Sequence, residues 1–193
     1  MTEENIERVL KDAVELCVNN AERFINDAIL LLDNGSYGHA FALAVLAEEE
    51  FAKGCAYYAS SEGILPKDFL KEVGRTRDSH IMKLAIGLGI MRAHEQIVMK
   101  KTVGDMNFEK LAERVKALQK NKERGLYVDV DLEKEVLSSP DSLKKGEVEK
   151  YLSELKVVFE AAKPYLALPL LLTQSQRKLV KAFMEKLVSL SRS

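Results

Sequence analysis

Cysteine is scarce in this chain, and its scarcity excludes several classes of protein. Only Cys17 and Cys55 occur among 193 residues, and each lies within an apolar helical pattern. Neither the dense, even spacing of a secreted disulfide scaffold nor the paired spacing of a zinc site is present. We therefore expect two buried free thiols in a reducing compartment.

An excess of charge of either sign is also missing. The formal net charge is -1, from 29 basic and 30 acidic side chains. Proteins that bind nucleic acid nonspecifically use an overall positive field. Any contact between this chain and RNA must therefore be local.

Apolar runs long enough to span a membrane do not occur in the sequence. The first five residues, Met-Thr-Glu-Glu-Asn, are acidic, whereas a secretory signal begins with basic residues. The sequence therefore predicts a cytoplasmic protein that has no membrane association.

Cofactor motifs are absent as well. No glycine-rich phosphate loop occurs, and no glutamate precedes any of the three histidines by three positions. Helical bundles that bind two iron ions use such Glu-x-x-His pairs. We therefore expect neither a cofactor nor a metal ion.

Helical periodicity is what the sequence does contain. Apolar residues recur at three- and four-residue spacing over residues 2–32, which predicts a long amphipathic helix capped by Thr2 and ended by Asn34 and Gly35. Ser36 can cap the next helix. Over residues 37–59 the pattern is apolar nearly all round, which is typical of a central helix that others surround.

The remaining pattern predicts further helices. They are a short helix at 66–73, a long one from Asp78 or Ser79 to about residue 97, one over 106–124 that Gly125 breaks, and C-terminal helices within about 147–190. Residues 131–146 are predicted to form a polar loop, and no alternating segment is long enough for a sheet. We expect one all-α domain over residues 1–193, an antiparallel helical bundle with additional short helices.

Glu48, Glu49 and Glu50 interrupt the most apolar of these helices. Burying ionised carboxylates is costly unless they are paired or hydrogen-bonded. Lys53 follows Glu49 by four residues and Glu50 by three, so it can reach either carboxylate on the same helical face. An internal ion pair and a catalytic carboxylate both explain this spacing.

His80 and Lys83 share one face near the start of the predicted long helix. Exposed amides at a helix N-terminus favour anions such as phosphate. Histidine serves as a general acid or base, and lysine stabilises developing negative charge. A solvated first turn of the helix is the alternative interpretation.

A third polar cluster follows the glycine that ends the helix over 106–124. It contains Tyr127 and Asp129, with Lys120, Asn121 and Lys122 upstream. The helix macrodipole favours basic residues at a C-terminus, but it does not account for the tyrosine and the aspartate. A buried tyrosine hydroxyl that requires a hydrogen-bond partner would account for them.

The three clusters together resemble the AbiV branch of the HEPN superfamily, helical proteins many of which cleave RNA. The resemblance is carried by the alanine-rich run and glutamates of residues 36–53, by His80-Ile81-Met82-Lys83, and by Gly125-Leu126-Tyr127-Val128-Asp129. These segments occur in the order of the family, over about residues 36–129. The resemblance implies a HEPN-like bundle, usually a homodimer, with a role in phage defence by abortive infection or in a toxin–antitoxin system.

One position departs from the pattern of HEPN ribonucleases. These enzymes are marked by an arginine, often followed by asparagine, then by a histidine and in some members a tyrosine. Here Lys120 and Asn121 occupy the first place, Gly125 stands where the histidine would be, and Tyr127 matches the tyrosine. The chain has therefore either lost nuclease activity or takes its base from elsewhere, with His80 as the candidate.

Three hypotheses follow. The first is a metal-independent RNase in which His80 is the acid or base, lysines stabilise phosphate, polar groups position it and a glutamate orients the basic groups. The candidate residues are His80, Lys83, Glu49, Glu50, Lys53, Lys120, Asn121, Tyr127 and Asp129. The second is a catalytically inactive regulator that binds RNA, a nucleotide or a phage protein. The third is a structural bundle whose polar motifs are buried ion pairs.

Overall fold

Four long α-helices dominate the part of the chain that the computed structural model describes. That part covers residues 2–63, 65–71, 108–131 and 136–167, together with residues 80, 83, 84, 86, 174 and 182. The helices are α1 (Glu3–Asp33), α2 (Tyr37–Ser61), α3 (Phe108–Leu126) and α4 (Lys145–Ala162). Short 3-10 helices lie at Lys67–Lys71, Pro140–Ser142 and Lys163–Ala167. The predicted all-α bundle is confirmed.

Helix α1 begins and ends where its sequence signals predict. The Thr2 side chain accepts a hydrogen bond from the backbone amide of Asn5 at 3.4 Å, which caps the first turn. At the other end Gly35 has a φ of 78°, a conformation that glycine adopts without strain. One face is buried in the core, with Leu10, Val14, Val18, Ala21, Ile25 and Ala28.

Helix α2 is the central helix of the bundle and packs against α1, α3 and α4. Its alanines at positions 40, 44 and 47 are completely buried, and their small side chains let the neighbouring helices approach closely. Ser36 stands at the N-cap position, but its side chain makes no capping bond and instead hydrogen-bonds the Nδ1 atom of His39 at 3.0 Å.

Helix α3 continues one residue past Gly125, the glycine that was predicted to break it. The glycine is required for packing. A Cβ atom added there would overlap the carbonyl oxygen of Gly38 and lie 3.1 Å from its carbonyl carbon. Gly38 in turn packs against Pro140, whose Cα would lie 2.6 Å from a Cβ added at Gly38. Gly38 and Gly125 therefore lie where three elements meet, namely the start of α2, the end of α3 and the 3-10 helix at Pro140–Ser142.

The packing at Gly125 predicts a specific loss of stability. Gly125→Ala should lower the free energy of unfolding by about 1–3 kcal/mol, because the backbones of α2 and α3 must separate to admit a methyl group. Gly146→Ala is the matched control, since nothing lies within 4 Å of a Cβ added to that glycine of α4. Urea denaturation should show an unchanged or slightly higher stability for the control. Equal stabilities of the two variants would contradict this packing.

A short β-hairpin corrects the prediction of a polar loop over residues 131–146. Strands β1 (Asp129–Asp131) and β2 (Val136–Ser138) pair antiparallel, with Val130 opposite Leu137. Strands of three residues are too short for alternation to reveal them. Arg124 holds the base of the hairpin, because its Nε donates to the Ser142 hydroxyl at 2.6 Å.

Most of two predicted helices falls outside the described residues. Of the helix over 78–97, His80, Lys83, Leu84 and Ile86 are described, and all four are helical. Of the last helix, over about 175–190, Ala182 is described and is helical as well. Within the described chain, no helix is long and apolar enough to cross a membrane.

Both cysteines are free thiols, as predicted. Cys17 of α1 is buried and Cys55 of α2 is half-buried. Burial raises the pKa of Cys17 to about 11 and that of Cys55 to about 12. Neither thiol is therefore ionised at neutral pH, and both behave as apolar residues of the core.

Candidate functional site

Glu49 of α2 is the centre of a buried polar cluster. Its side chain is 3% exposed, and each carboxylate oxygen has its own partner. Lys122 of α3 donates from Nζ to Oε1 at 2.6 Å, and the Nδ1 atom of His80 lies 2.5 Å from Oε2. The cluster therefore joins α2, α3 and the helical residues around His80.

The Glu49 carboxylate determines which nitrogen of His80 carries the proton. An ionised carboxylate only accepts hydrogen bonds, so the Nδ1 atom of a neutral His80 must be the donor. The Nε2 atom is then unprotonated and has a free lone pair. Because the imidazole is 39% exposed, a ligand can reach the ring from solvent.

Lys83 supplies a buried positive charge one helical turn after His80. Lys83 is 7% exposed. This burial lowers the pKa of Lys83 below its ordinary value, although the Glu49 carboxylate opposes that shift. Lys122 adds to the lowering by repulsion. No hydrogen bond or ion pair to the Lys83 ammonium is made by the residues whose positions are described.

Glu50 and Lys53 form an ion pair along α2 at 2.6 Å, and each side chain is about one-fifth exposed. The sequence allowed Lys53 to pair with either Glu49 or Glu50, and the observed partner is Glu50. Glu49 is bonded to Lys122 and His80 instead. Both members of the pair affect the pKa of Lys83, because the charge of Lys53 lowers that pKa and the charge of Glu50 raises it.

Except for Lys122, the residues of the third sequence cluster lie apart from Glu49. Lys120 is exposed, because it lies two positions before Lys122 and therefore points about 200° away from it around α3. Asn121 is half-buried. Tyr127 is 63% exposed, and the Asp129 carboxylate accepts a bond from the amide of the next residue at 2.9 Å. Since α3 continues past its glycine, the chain carries Tyr127 and Asp129 outward to the hairpin.

Glu48, next to Glu49 in α2, makes a second buried contact. Its carboxyl is 1% exposed, and its Oε2 accepts a hydrogen bond from the hydroxyl of Tyr151 in α4. Its Oε1 is buried and has no hydrogen-bond partner among the described residues. Burial raises the pKa of Glu48 to about 7, against the opposing effects of Tyr151 and Arg114.

The AbiV family profile matches residues 9–159, which is more than half of the chain. The chain belongs to the AbiV family. This confirms the family expected from the three sequence clusters and places the chain in the HEPN superfamily, with its link to abortive infection. The AbiV match includes Glu49, His80 and Lys122, so the whole cluster lies inside the family segment. The searches of curated proteins and of solved structures matched nothing.

Two residues that hydrogen-bond the buried glutamates of α2 in this AbiV protein were not selected as site residues from the sequence. Lys122 was considered only as a basic residue near a helix C-terminus, yet it follows Val115 and Leu118 on the inward face of α3. A lysine on an apolar face requires a buried counter-ion, and that requirement was the usable signal. Tyr151 likewise lies on the inward face of α4, together with Leu155.

No group of three or more histidine, cysteine, aspartate or glutamate side chains in the described part of this AbiV protein is placed to hold a metal ion. The Glu49 carboxylate already has a lysine and a histidine as partners, one on each oxygen. Of the groups in and around the cluster, an imidazole such as that of His80 can transfer a proton, and an ammonium such as that of Lys83 can stabilise negative charge.

The raised pKa of Glu48 predicts how the stability of this AbiV protein depends on pH. The carboxyl is raised from an ordinary 4.5 to about 7 on folding, so its contribution is fully present below pH 4.5 and is lost as the pH rises through 7. The loss amounts to about 3 kcal/mol. Glu48→Gln stays neutral and should lack this loss. Urea denaturation at pH 5 and pH 8 measures it, and parallel pH profiles for the two proteins would contradict the assignment.

Proposed function

We propose that this AbiV protein is a metal-independent RNase that acts in abortive infection. The observation that supports the proposal most strongly is the 2.5 Å contact between His80 Nδ1 and the buried carboxylate of Glu49. A carboxylate that holds one ring nitrogen orients the imidazole and leaves the other nitrogen as a general base. Gly125 stands where HEPN ribonucleases have their histidine, so in this proposal His80 serves as the base instead.

The reaction that suits this site is attack by the ribose 2′-hydroxyl on the adjacent phosphate. His80 Nε2 takes the hydroxyl proton, the 2′-oxygen bonds to phosphorus, and the bond from phosphorus to the 5′-oxygen breaks. The departing 5′-oxygen takes a proton from water, and the imidazolium later returns its proton to solvent. The products carry a 2′,3′-cyclic phosphate and a 5′-hydroxyl. Lys83 stabilises the negative charge that develops on the phosphate oxygens.

Other residues have supporting roles in this proposal. Lys122 fixes Glu49 through its second oxygen, so the carboxylate cannot turn away from His80. Among the described residues, no hydrogen bond or ion pair joins Lys120, Asn121 or Tyr127 to the cluster, and we assign these residues to contacts with RNA outside the reacting phosphate. An exposed tyrosine can stack on an unpaired base, and an exposed lysine can contact a backbone phosphate.

Cleavage of RNA in excess chelator tests the proposal. The purified protein should cleave single-stranded RNA at the same rate with and without EDTA, because His80 and Lys83 need no metal ion. Cleavage that appears only when a divalent ion is added would contradict metal independence. Complete lack of cleavage, with the protein folded by circular dichroism, would contradict the RNase assignment itself.

A catalytically inactive binding protein is the second candidate, and the packing at Gly125 favours it. The place of the HEPN histidine has no room for a side chain, because Gly38 lies against it. Such a protein would bind RNA, a nucleotide or a phage protein through the same cluster. Growth of cells that overexpress the protein separates the two candidates. Toxicity that is lost in His80→Ala, with folding intact, favours the RNase.

A homodimer in the cytoplasm completes the proposal, and membership of the AbiV family supports the dimer. Sedimentation equilibrium of the purified chain measures its mass in solution. A mass of two chains is expected, and a single chain at all concentrations would contradict it.

A further inference from the structure

We propose that Glu48 and Tyr151 are positioning residues for His80, and that they act through Glu49. The Glu48 carboxyl is held by the Tyr151 hydroxyl of α4, and the adjacent Glu49 carboxylate is held by His80 and Lys122. The proposal rests on the proposed function only for the role of His80 as the base. It adds α4 to the elements that control the site.

The burial of Glu48 is difficult to explain by stability alone. Its side chain is completely enclosed, one oxygen is bonded to Tyr151, and the other oxygen has no partner among the described residues. A buried polar group left partly unsatisfied costs stability, and an apolar residue of similar volume usually serves a helical core better. A role at the neighbouring site gives a reason for this arrangement.

The geometry of α2 couples the two glutamates. Consecutive residues in a helix point about 100° apart, so Glu48 faces α4 while Glu49 faces α3 and His80. The ring of Tyr151 packs in turn against the ring of Phe41, with 4.9 Å between the two ring centroids, and this contact holds Tyr151 in place. The bond from Tyr151 therefore fixes the rotation of α2 at the point where Glu49 must meet the imidazole.

Charge couples them as well. The groups that face Glu48 are Tyr151 from α4, Arg114 from α3 and Glu49 on its own helix. Two neighbouring buried carboxyls repel each other when both are ionised, and the charge of Glu49 is one of the causes that raise the pKa of Glu48. An ionised Glu48 adds negative potential beside His80 and favours the imidazolium, whereas a neutral Glu48 does not. Glu48 therefore sets how readily the base accepts a proton.

Titration of the His80 imidazole by NMR tests the proposal without any need for RNA cleavage. Glu48→Gln removes the ionisable group, and Tyr151→Phe removes the hydrogen bond that favours its ionised form. Glu48→Gln should move the midpoint of the His80 titration to lower pH by about half a pH unit or more, and Tyr151→Phe should move it in the same direction by less, because it only favours the neutral form of Glu48. The double variant should shift no further than Glu48→Gln alone, because the two residues act as one unit.

Ser60→Ala is the matched control, since Ser60 is a buried polar residue of the same helix with a hydroxyl that has no partner among the described residues. It should leave the His80 midpoint unchanged. Folding of each variant is checked by circular dichroism. If Glu48→Gln fails to fold, the His80 midpoint of Tyr151→Phe alone tests the proposal. Folded variants whose His80 midpoint equals that of the natural protein would overturn the proposal. That result would leave the RNase assignment standing, since cleavage is measured separately.

Discussion

Replacing His80 with alanine is expected to reduce RNA cleavage by about 10²- to 10⁴-fold, the usual contribution of a general base. The reason is that Nε2 of this ring is the group that takes the 2′-hydroxyl proton, while Nδ1 is occupied by the buried Glu49 carboxylate. Single-turnover cleavage of a labelled RNA, with enzyme in excess, measures the chemical step directly.

His39→Ala is the matched control for this loss. His39 is exposed near the start of α2, and its Nδ1 is bonded to the Ser36 hydroxyl at 3.0 Å instead of to the cluster. The control should cleave at the rate of the natural protein. If the two histidine variants cleave equally well, His80 is not the base, and the second candidate function gains support.

Replacing Lys122 with methionine is expected to lower the free energy of unfolding by about 3 kcal/mol, because Glu49 is then buried with one oxygen unpaired. Methionine keeps the length and apolar character of the lysine stem, so the loss reports on the charge and not on a cavity. Urea denaturation at neutral pH provides the measurement.

Lys11→Met is the control for the Lys122 experiment. Lys11 forms a similar ion pair with Glu7 at 2.7 Å, but both side chains are at least half exposed, so water screens the pair. Its unfolding should match that of the natural protein within error. Equal stabilities of the Lys122 and Lys11 variants would mean that the buried pair contributes nothing measurable.

These two experiments also separate the RNase from a purely structural bundle. In a structural bundle, the contacts of Glu49 would stabilise the fold, and removing His80 would change stability without changing any reaction. In the proposed enzyme, removing Lys122 lowers stability while removing His80 chiefly lowers the rate of cleavage. The pattern across both variants therefore carries more information than either result alone.

The helices could be predicted from the sequence because their periodicity is strong and their end signals are local. Helix α1 was expected over 2–32 and is observed at Glu3–Asp33, with Thr2 and Gly35 at its ends. The hairpin could not be predicted, since three-residue strands show no period. Gly125 was assigned to a helix break because the sequence does not reveal that Gly38 packs against it.

The candidate site could be predicted only in part. Glu49 and His80 were selected separately, from the cost of a buried carboxylate and from the chemistry of histidine, and their contact across 31 residues depends on how the bundle closes. The place of Lys122 on the apolar face of α3 was a usable signal for a buried lysine, but its partner Glu49 could not be identified without the position of α3 relative to α2. Tyr127 was included in the same candidate site as His80, but it follows the end of α3 at Leu126 and is 63% exposed.

The most direct test of the central claim is the position of the proton on the neutral imidazole of His80, read from its two nitrogen chemical shifts by NMR above the titration midpoint. A proton on Nδ1 and a bare Nε2 are predicted, because the Glu49 carboxylate can only accept a hydrogen bond. A proton on Nε2 would contradict the account, since the nitrogen assigned as the base would then have no lone pair to receive the 2′-hydroxyl proton.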